Sequence, residues 1–331
     1  MKMIKYIQIL IFVLIFTGIK AQKDVTGFLN YGLNNAKVLS QSYLLPQSRM
    51  ISSALTADFE STARVKHLGG VDLKAGINYS FTPTSDFLFD VQEMISAGML
   101  KDVTLAAGSV IKAPTVAKRF LHGQERPSLE YAGAESEMPN GSDYNSMLSP
   151  VVSVSVGIAL NTEIGFNYML PLGDENTDDA TMYGVTLKHS LKNYLPFLRH
   201  TPFLQMAIAG NYSKYSSSTA VSYHGQTGQK LTVDAAGYGG GLIVGMDYPV
   251  FGFTGNVGYS VTKNSFALDG TFTDVPDDGV VESPELTTYD DGFVNFGVGM
   301  FFRVYHFRLS ANYTYGLYSA LNAGIAYEFG Y

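Results

Sequence analysis

The residues best spaced to do chemistry lie in "DVPDDGVVESPE", residues 274–285. Counted as a twelve-residue calcium loop, the stretch puts Asp274 at position 1, Asp278 at 5, Gly279 at 6, the Val280 carbonyl at 7, Glu282 at 9 and Glu285 at 12. Oxygen donors at those intervals can wrap a hard divalent cation, and the glycine permits the sharp turn between them. Pro276 stands where a third ligand belongs, Pro284 intrudes, and no helical pattern flanks the stretch. The same residues therefore also read as a solvated acidic loop, or as one bridged through divalent ions to lipopolysaccharide. Calcium is the one cofactor they bring into question.

A second candidate is apolar. Phe87, Leu88, Phe89, Met94 and Met99 fall within residues 87–100, a stretch otherwise expected to be loop. Flexible methionines beside aromatic rings suit an adaptable surface for a small hydrophobic ligand, and they equally suit packing of that loop onto the rest of the protein. A third stretch, "KHSLKNYLPFLRH", joins Lys188, Lys192 and Arg199 to Leu191, Leu195, Phe197 and Leu198. It reads either as a plain connection or as an interfacial turn whose bases meet lipid phosphates.

Catalysis has little to stand on. The histidines, His67, His122, His189, His200, His224 and His306, form no H-E-x-x-H or H-x-E pattern, and there is no G-x-S-x-G elbow. No catalytic residue is assigned and no enzyme is expected. The chain has no cysteine, which excludes disulfides and thiolate metal sites. A net charge of −7 excludes the basic surface that nucleic-acid binding requires.

These candidates need a scaffold, and alternation supplies it. In "VDLKAGINYSF", Val71, Leu73, Ala75, Ile77, Tyr79 and Phe81 share one face while Asp72, Lys74, Asn78 and Ser80 share the other. The pattern recurs at residues 152–160, 163–170, 182–189, 204–215, 230–248, 251–261, 296–302, 307–313 and 321–329. Each is close to the roughly 9 to 11 residues with which a tilted strand crosses a bilayer. Weaker stretches at 53–62 and 266–272 raise the expected total to about 12 to 14 strands. The faces opposite the apolar stripes hold mainly Gly, Ala, Ser, Thr and Asn, as a hydrated lumen would. Tyrosines recur at strand ends, in a chain with 34 Gly, 22 Tyr and 21 Phe and only 15% charged residues. The last strand, residues 321–329, ends on aromatic residues like an assembly signal of outer-membrane barrels. Strands that face lipid must close into one ring, because an open edge would strand backbone donors in hydrocarbon.

Residues 1–21 have the layout of a secretory signal peptide: Lys2 and Lys5, an apolar run over 9–16, and Ala21 before the expected cut. Residues 22–50 are expected to be a plug or cap, because Leu33, Ala36, Leu39 and Tyr43 fall at helical spacing and Pro46 should stop the helix. The barrel is expected over 51–331, with an irregular insertion at about 84–149 whose second half reads as mobile.

The blocks "NAKVLSQSYLLPQSRMISSALTADFESTARVKHLGGVDLKAGINYSFTP", "MYGVTLKHSLKNYLPFL" and "FRLSANYTYGLYSALNAGIAYEF" resemble an uncharacterised family of exported Bacteroidota proteins. Its members look like outer-membrane barrels similar in architecture to the long-chain fatty acid transporters. The resemblance implies a barrel of roughly fourteen strands with an N-terminal plug-like segment. It supplies no site residues, and the transporters' Asn-Pro-Ala plug motif is absent.

The expectation is thus an all-β, closed antiparallel transmembrane barrel in a bacterial outer membrane, in contact with lipid and lipopolysaccharide. Two functions fit: a passive channel or binding protein for small hydrophobic molecules, or a structural scaffold presenting its outer loops to a secretion-machinery or surface-protein partner.

Overall fold

The computed structural model describes residues 24–57, 62–170 and 177–329. The leader expected over residues 1–21 lies outside them. Ten antiparallel strands close into one barrel. They are β1 (Val71–Phe81), β2 (Ser146–Ile158), β3 (Thr162–Met169), β4 (Thr177–Ser190), β5 (Leu204–Val221), β6 (Gln229–Asp247), β7 (Phe251–Asp269), β8 (Glu285–Val304), β9 (Phe307–Tyr315) and β10 (Ser319–Phe329). Each pairs with its sequence neighbours, and β1 closes the ring on β10, with Val71 opposite Phe329 and Phe81 opposite Ser319.

The ring has fewer strands than the expected 12 to 14 because four of them are long. β5 to β8 run 18 to 20 residues each. β7 runs without a break through Lys263 and Asn264 and takes in most of the separate strand expected at 266–272. Of the strand expected at 53–62, the first residues belong to a helix, and 58–61 lie outside the described residues.

That helix, α1 (Gly32–Thr56), follows a short 3-10 turn, Val25–Tyr31, and runs inside the barrel. It continues ten residues past Pro46, where the sequence pattern ended it. Proline cannot donate to the Ser42 carbonyl, a loss that would ordinarily break a helix. Here the carbonyls on either side are held from outside the helix: the Tyr289 hydroxyl donates to Gln41 O at 2.5 Å and the Val116 N–H donates to Tyr43 O at 3.0 Å. No helix among the described residues is long and apolar enough to cross a membrane.

The two ends of the barrel differ. At one, the connections are short, as at Tyr305 and His306 between β8 and β9, apart from residues 191–203 between β4 and β5. At the other lie residues 82–145, which join β1 to β2, and residues 270–284, which fold back as a small hairpin, Thr271–Val275 with Gly279–Glu282. The insertion read as irregular is a structured cap. Leu88–Asp90 pairs with Lys112–Pro114, and Ser128–Tyr131 lies between Val103–Leu105 and Ala134–Glu137. A helical turn, α2 (Val91–Ser96), starts on Asp90, whose carboxylate accepts the Glu93 N–H at 3.0 Å.

The polarity of both faces inverts along the longer strands. In β7 the outward residues are apolar from Phe251 through Val257 to Val261 and polar at Lys263, Ser265 and Asp269. Inward, Thr254, Asn256, Ser260, Thr262 and Asn264 give way to Phe266 and Leu268. β6, in register, turns over at the same height: outward Tyr238 to Met246 are apolar apart from Gly240, outward Lys230, Thr232 and Asp234 are polar, and inward Leu231 and Val233 are buried. Toward the long-loop end the barrel is therefore built like a soluble domain, with its apolar core inside. Toward the short-turn end it is inside out, and the boundary is marked by tyrosines paired across strands, Tyr212 with Tyr238 and Tyr168 with Tyr183.

Candidate functional site

The lumen is the site, and α1 fills it. Its upper half packs Leu39, Tyr43 and Leu44 into an apolar core with Phe28 and Phe266. Phe28 meets Tyr43 edge-on at 5.2 Å, and Phe266 meets Tyr289 the same way at 5.8 Å. The Tyr43 hydroxyl donates to Asn140 O at 2.9 Å, which fastens the helix to the cap. Tyr31 does the same through Ser136 O at 2.9 Å, and burial pushes its phenol up to about 12.

Lower down, the helix turns serines to the polar wall. The Asn264 amide in β7 donates to Ser48 O at 3.0 Å, Ser48 Oγ at 2.8 Å and Ser52 Oγ at 2.8 Å. Ser52 Oγ also meets Thr262 Oγ1 at 2.8 Å. On the far wall Ser53 Oγ takes the Tyr318 N–H at 3.2 Å, while Arg49 pairs with Asp86 of the cap at 2.9 Å. β6 allows this close approach at Gly237, where a Cβ would lie 3.3 Å from Leu55 Cβ and 3.1 Å from a Thr262 methyl. Between the helix end and the wall a cavity of about 70 Å³ remains, with Thr56, Asn167, Thr186, Lys188, Asn211 and Ser260 among its lining residues. The Asn167 amide nitrogen there makes no hydrogen bond to protein. Ala209, Leu242, Ile243 and Val257 line it too, so the space is mixed in character, with room for a few waters beside its polar groups.

Below the helix a circuit of buried charges closes the short-turn end. Arg303 in β8 pairs with Asp247 in β6 at 3.0 Å and with Glu328 in β10 at 2.9 Å. Arg308 in β9 takes the other oxygen of Glu328 and pairs with Asp72 in β1 at 2.5 Å. Lys66 joins Asp72 at 3.3 Å to Glu163 in β3 at 2.7 Å, and Lys188 in β4 lies 3.4 Å from Glu163. The circuit returns through Thr62, whose carbonyl accepts from Lys188 at 3.3 Å and whose hydroxyl donates to Asp247 at 3.3 Å. Within the circuit four cations face four anions, so each of its charges has an opposite partner. Arg303 and Arg308 stand directly opposite each other across β8 and β9, a repulsive pairing that Glu328 resolves by bridging both. Lys66 and Thr62 belong to the link from α1 to β1, so the circuit ties the plug's exit to the wall.

This arrangement was invisible to motif reading, because its members come from seven strands and a linker. Its only local signal is a charged residue on the polar face near a strand end, as at Asp72, Glu163 and Glu328. Lys188, which the sequence pattern left either in a plain connection or in an interfacial turn, points into the lumen from β4, 1% exposed. The interfacial reading of its stretch survives only for residues beyond it: Tyr194 and Phe197 are exposed, at 63% and 55%.

The sequence-picked residues are dispersed. Met94 is buried in the core and Phe89 packs against it, Phe87 is half-buried, and Leu88 and Met99 are exposed on the cap at 41% and 49%. In the acidic loop, Asp278 accepts the Leu33 N–H at 2.8 Å at the start of α1, and Asp277 accepts the Tyr131 hydroxyl at 2.5 Å. Glu285 is engaged by Thr288 at 2.5 Å, Asp274 by Thr273 at 3.4 Å, and Glu282 lies exposed in the small hairpin. Among the described residues no three acidic or histidine side chains converge as a metal site. The loop's carboxylates tie the cap to the plug.

The sequence matches the model of a family of unknown function, DUF6588, over residues 1–329, and the chain belongs to that family. No curated protein matches it by sequence. Among solved structures it is similar to the outer membrane protease OmpT of Escherichia coli, with 10% identity over 78% of this chain and 96% of that one and a TM-score of 0.36. It is similar also to the translocator domain of the autotransporter NalP of Neisseria meningitidis, with 10% identity over 89% and 97% and a TM-score of 0.32. A third is the toluene transporter TodX of Pseudomonas putida, with 10% identity over 83% and 93% and a TM-score of 0.29.

Proposed function

We propose that this member of the DUF6588 family is an outer-membrane barrel occluded by its own amino-terminal helix, a membrane-anchored platform that presents its cap to a protein partner. Membrane placement is supported by the outward face: apolar from Phe251 to Val261 in β7, rimmed by tyrosines above and by aromatic clusters at the short-turn end, where Phe307, Tyr327 and Phe329 have ring centroids within 5.0 Å of their neighbours. Short turns then face the periplasm and the cap faces outward.

The observation that carries the platform reading is the seat of α1, hydrogen-bonded to cap and wall along its length. A passive route for hydrophobic solutes would have to pass that helix and a floor of eight buried charged groups. Leu88 and Met99 are exposed apolar side chains of the cap that a partner would cover. In proteoliposomes the protein should leave the permeation of both toluene-sized hydrophobic solutes and small sugars at the level of empty vesicles. Solute entry above that level would sink the platform reading in favour of a channel. Crosslinking on cells should retain one stoichiometric partner.

A further inference from the structure

The direction in which α1 threads the barrel has a topological consequence. Its start and the 3-10 turn ahead of it belong to the long-loop end: Thr26 Oγ1 donates to Ser222 O in the β5–β6 loop at 2.7 Å, and the Leu33 N–H donates to Asp278 at 2.8 Å. Asn35 binds Lys101 of the cap through both its amide and its carbonyl, at 2.9 Å each. The link that follows the helix reaches the short-turn end: Lys66 pairs with Glu163, and the Gly69 N–H donates to Gly157 O at 2.9 Å beside the β2–β3 turn. α1 itself ends at the tyrosine boundary, where Leu55 lies against Gly237 and its carbonyl accepts from Asn211 at 3.3 Å. Helix and linker together carry the chain through the lumen from the long-loop end to the short-turn end.

We infer that the barrel carries its own amino-terminal segment through the lumen and displays it on the outer face, so that a peptide joined ahead of Asp24 is delivered to the cell surface. The inference rests on the orientation proposed above. A chain arriving from the periplasm starts β1 at the short-turn end, so the segment ahead of α1 must lead the passage outward while the barrel closes around it. The lining permits this: Asn264, Thr262 and Ser260 on one wall and Ser80 and Asn78 on the other offer hydrogen bonds to a passing backbone in the lower half. The aromatic core forms only once Phe28 and Tyr43 reach the upper half.

Because the chain has no cysteine, single cysteines report topology without background. Asp24→Cys, Asn34→Cys, Leu121→Cys in the cap and Leu68→Cys at the short-turn end all lie at exposed positions. Intact cells would be treated with a bulky polyethylene-glycol maleimide, with heat-modifiable migration checked for each variant so that only folded barrels are scored. Asp24→Cys, Asn34→Cys and Leu121→Cys should label on intact cells, and Leu68→Cys only after lysis. Labelling of Leu121→Cys with protection of both Asp24→Cys and Asn34→Cys would overturn outward display while leaving the orientation intact. Labelling of Leu68→Cys with protection of Leu121→Cys would overturn the orientation itself. Asn34→Cys keeps the test decisive if Asp24→Cys fails to fold.

Discussion

The Asn264 side chain has two amide protons and three oxygens of α1 within 3.0 Å, so its protons are shared among Ser48 and Ser52. Asn264→Leu would leave those buried acceptors without a donor, at about 1–3 kcal/mol. The detergent-solubilised barrel should then lose its compact migration at a lower temperature. A larger loss is expected in the floor. Arg303→Met removes the partner of Asp247 and one partner of Glu328, and breaking a buried pair from one side costs about 3–5 kcal/mol; denaturant midpoints of the two variants should fall in that order. The cap offers a pH test. The hydrogen bond to Asp277 pushes the Tyr131 phenol up to about 12, above the ordinary value of 10. A raised pKa means that the contact stabilises fully below pH 10 and is lost as pH rises through about 12. A carbon-13 tyrosine resonance that vanishes in Tyr131→Phe should titrate near 12 in the wild type and nearer 10 in Asp277→Asn.

At the scale of elements, the helix and most strands were legible because their periods are local. Leu33, Ala36, Leu39 and Tyr43 announce α1, and Val71 to Phe81 announces β1, its apolar side facing outward with Leu73 47% exposed. The end of the helix was not legible. Pro46 reads as a stop unless the donors from Tyr289 and Val116 are known, and these lie 248 and roughly 70 positions away in the chain. The floor was illegible for the same reason, since charge pairing between Asp72 and Arg308 spans 236 positions. What seats α1 on β6 is a missing side chain. Gly237→Val should push Leu55 and Thr56 off the wall, because even a Cβ there meets three neighbours within 3.4 Å. Planar-bilayer recordings should show leak conductance in this variant. Gly240→Val in the same strand, where a Cβ meets nothing nearer than 3.5 Å, should stay as quiet as the wild type.

For the whole molecule, the strand count was misread for a physical reason. A strand that leaves the bilayer while still paired swaps its apolar residues from the outer face to the inner, so one strand carries two patterns of opposite phase, as β7 does on either side of Val261. Read locally, the swap looks like a turn at Lys263-Asn264 followed by a new strand. Read as one element, and with the barrel in a bilayer as proposed, it sets the depth: lipid covers Phe251 to Val261 and stops below Lys263. The cost of an outward charge should therefore depend on height. Val257→Arg places a cation in mid-band, where the expected penalty is about 2–4 kcal/mol, whereas Ser265→Arg lies beyond the tyrosines, where it falls to about 0–1 kcal/mol. Both positions face outward on the same strand, at relative heights set by a shared register with β6 and β8, so helix, floor and cap are untouched by either change. Refolding into lipid vesicles, followed by urea titration, should separate the two variants by that difference. Equal costs would mean that lipid does not end at the tyrosine boundary, and the depth assignment would fall with it.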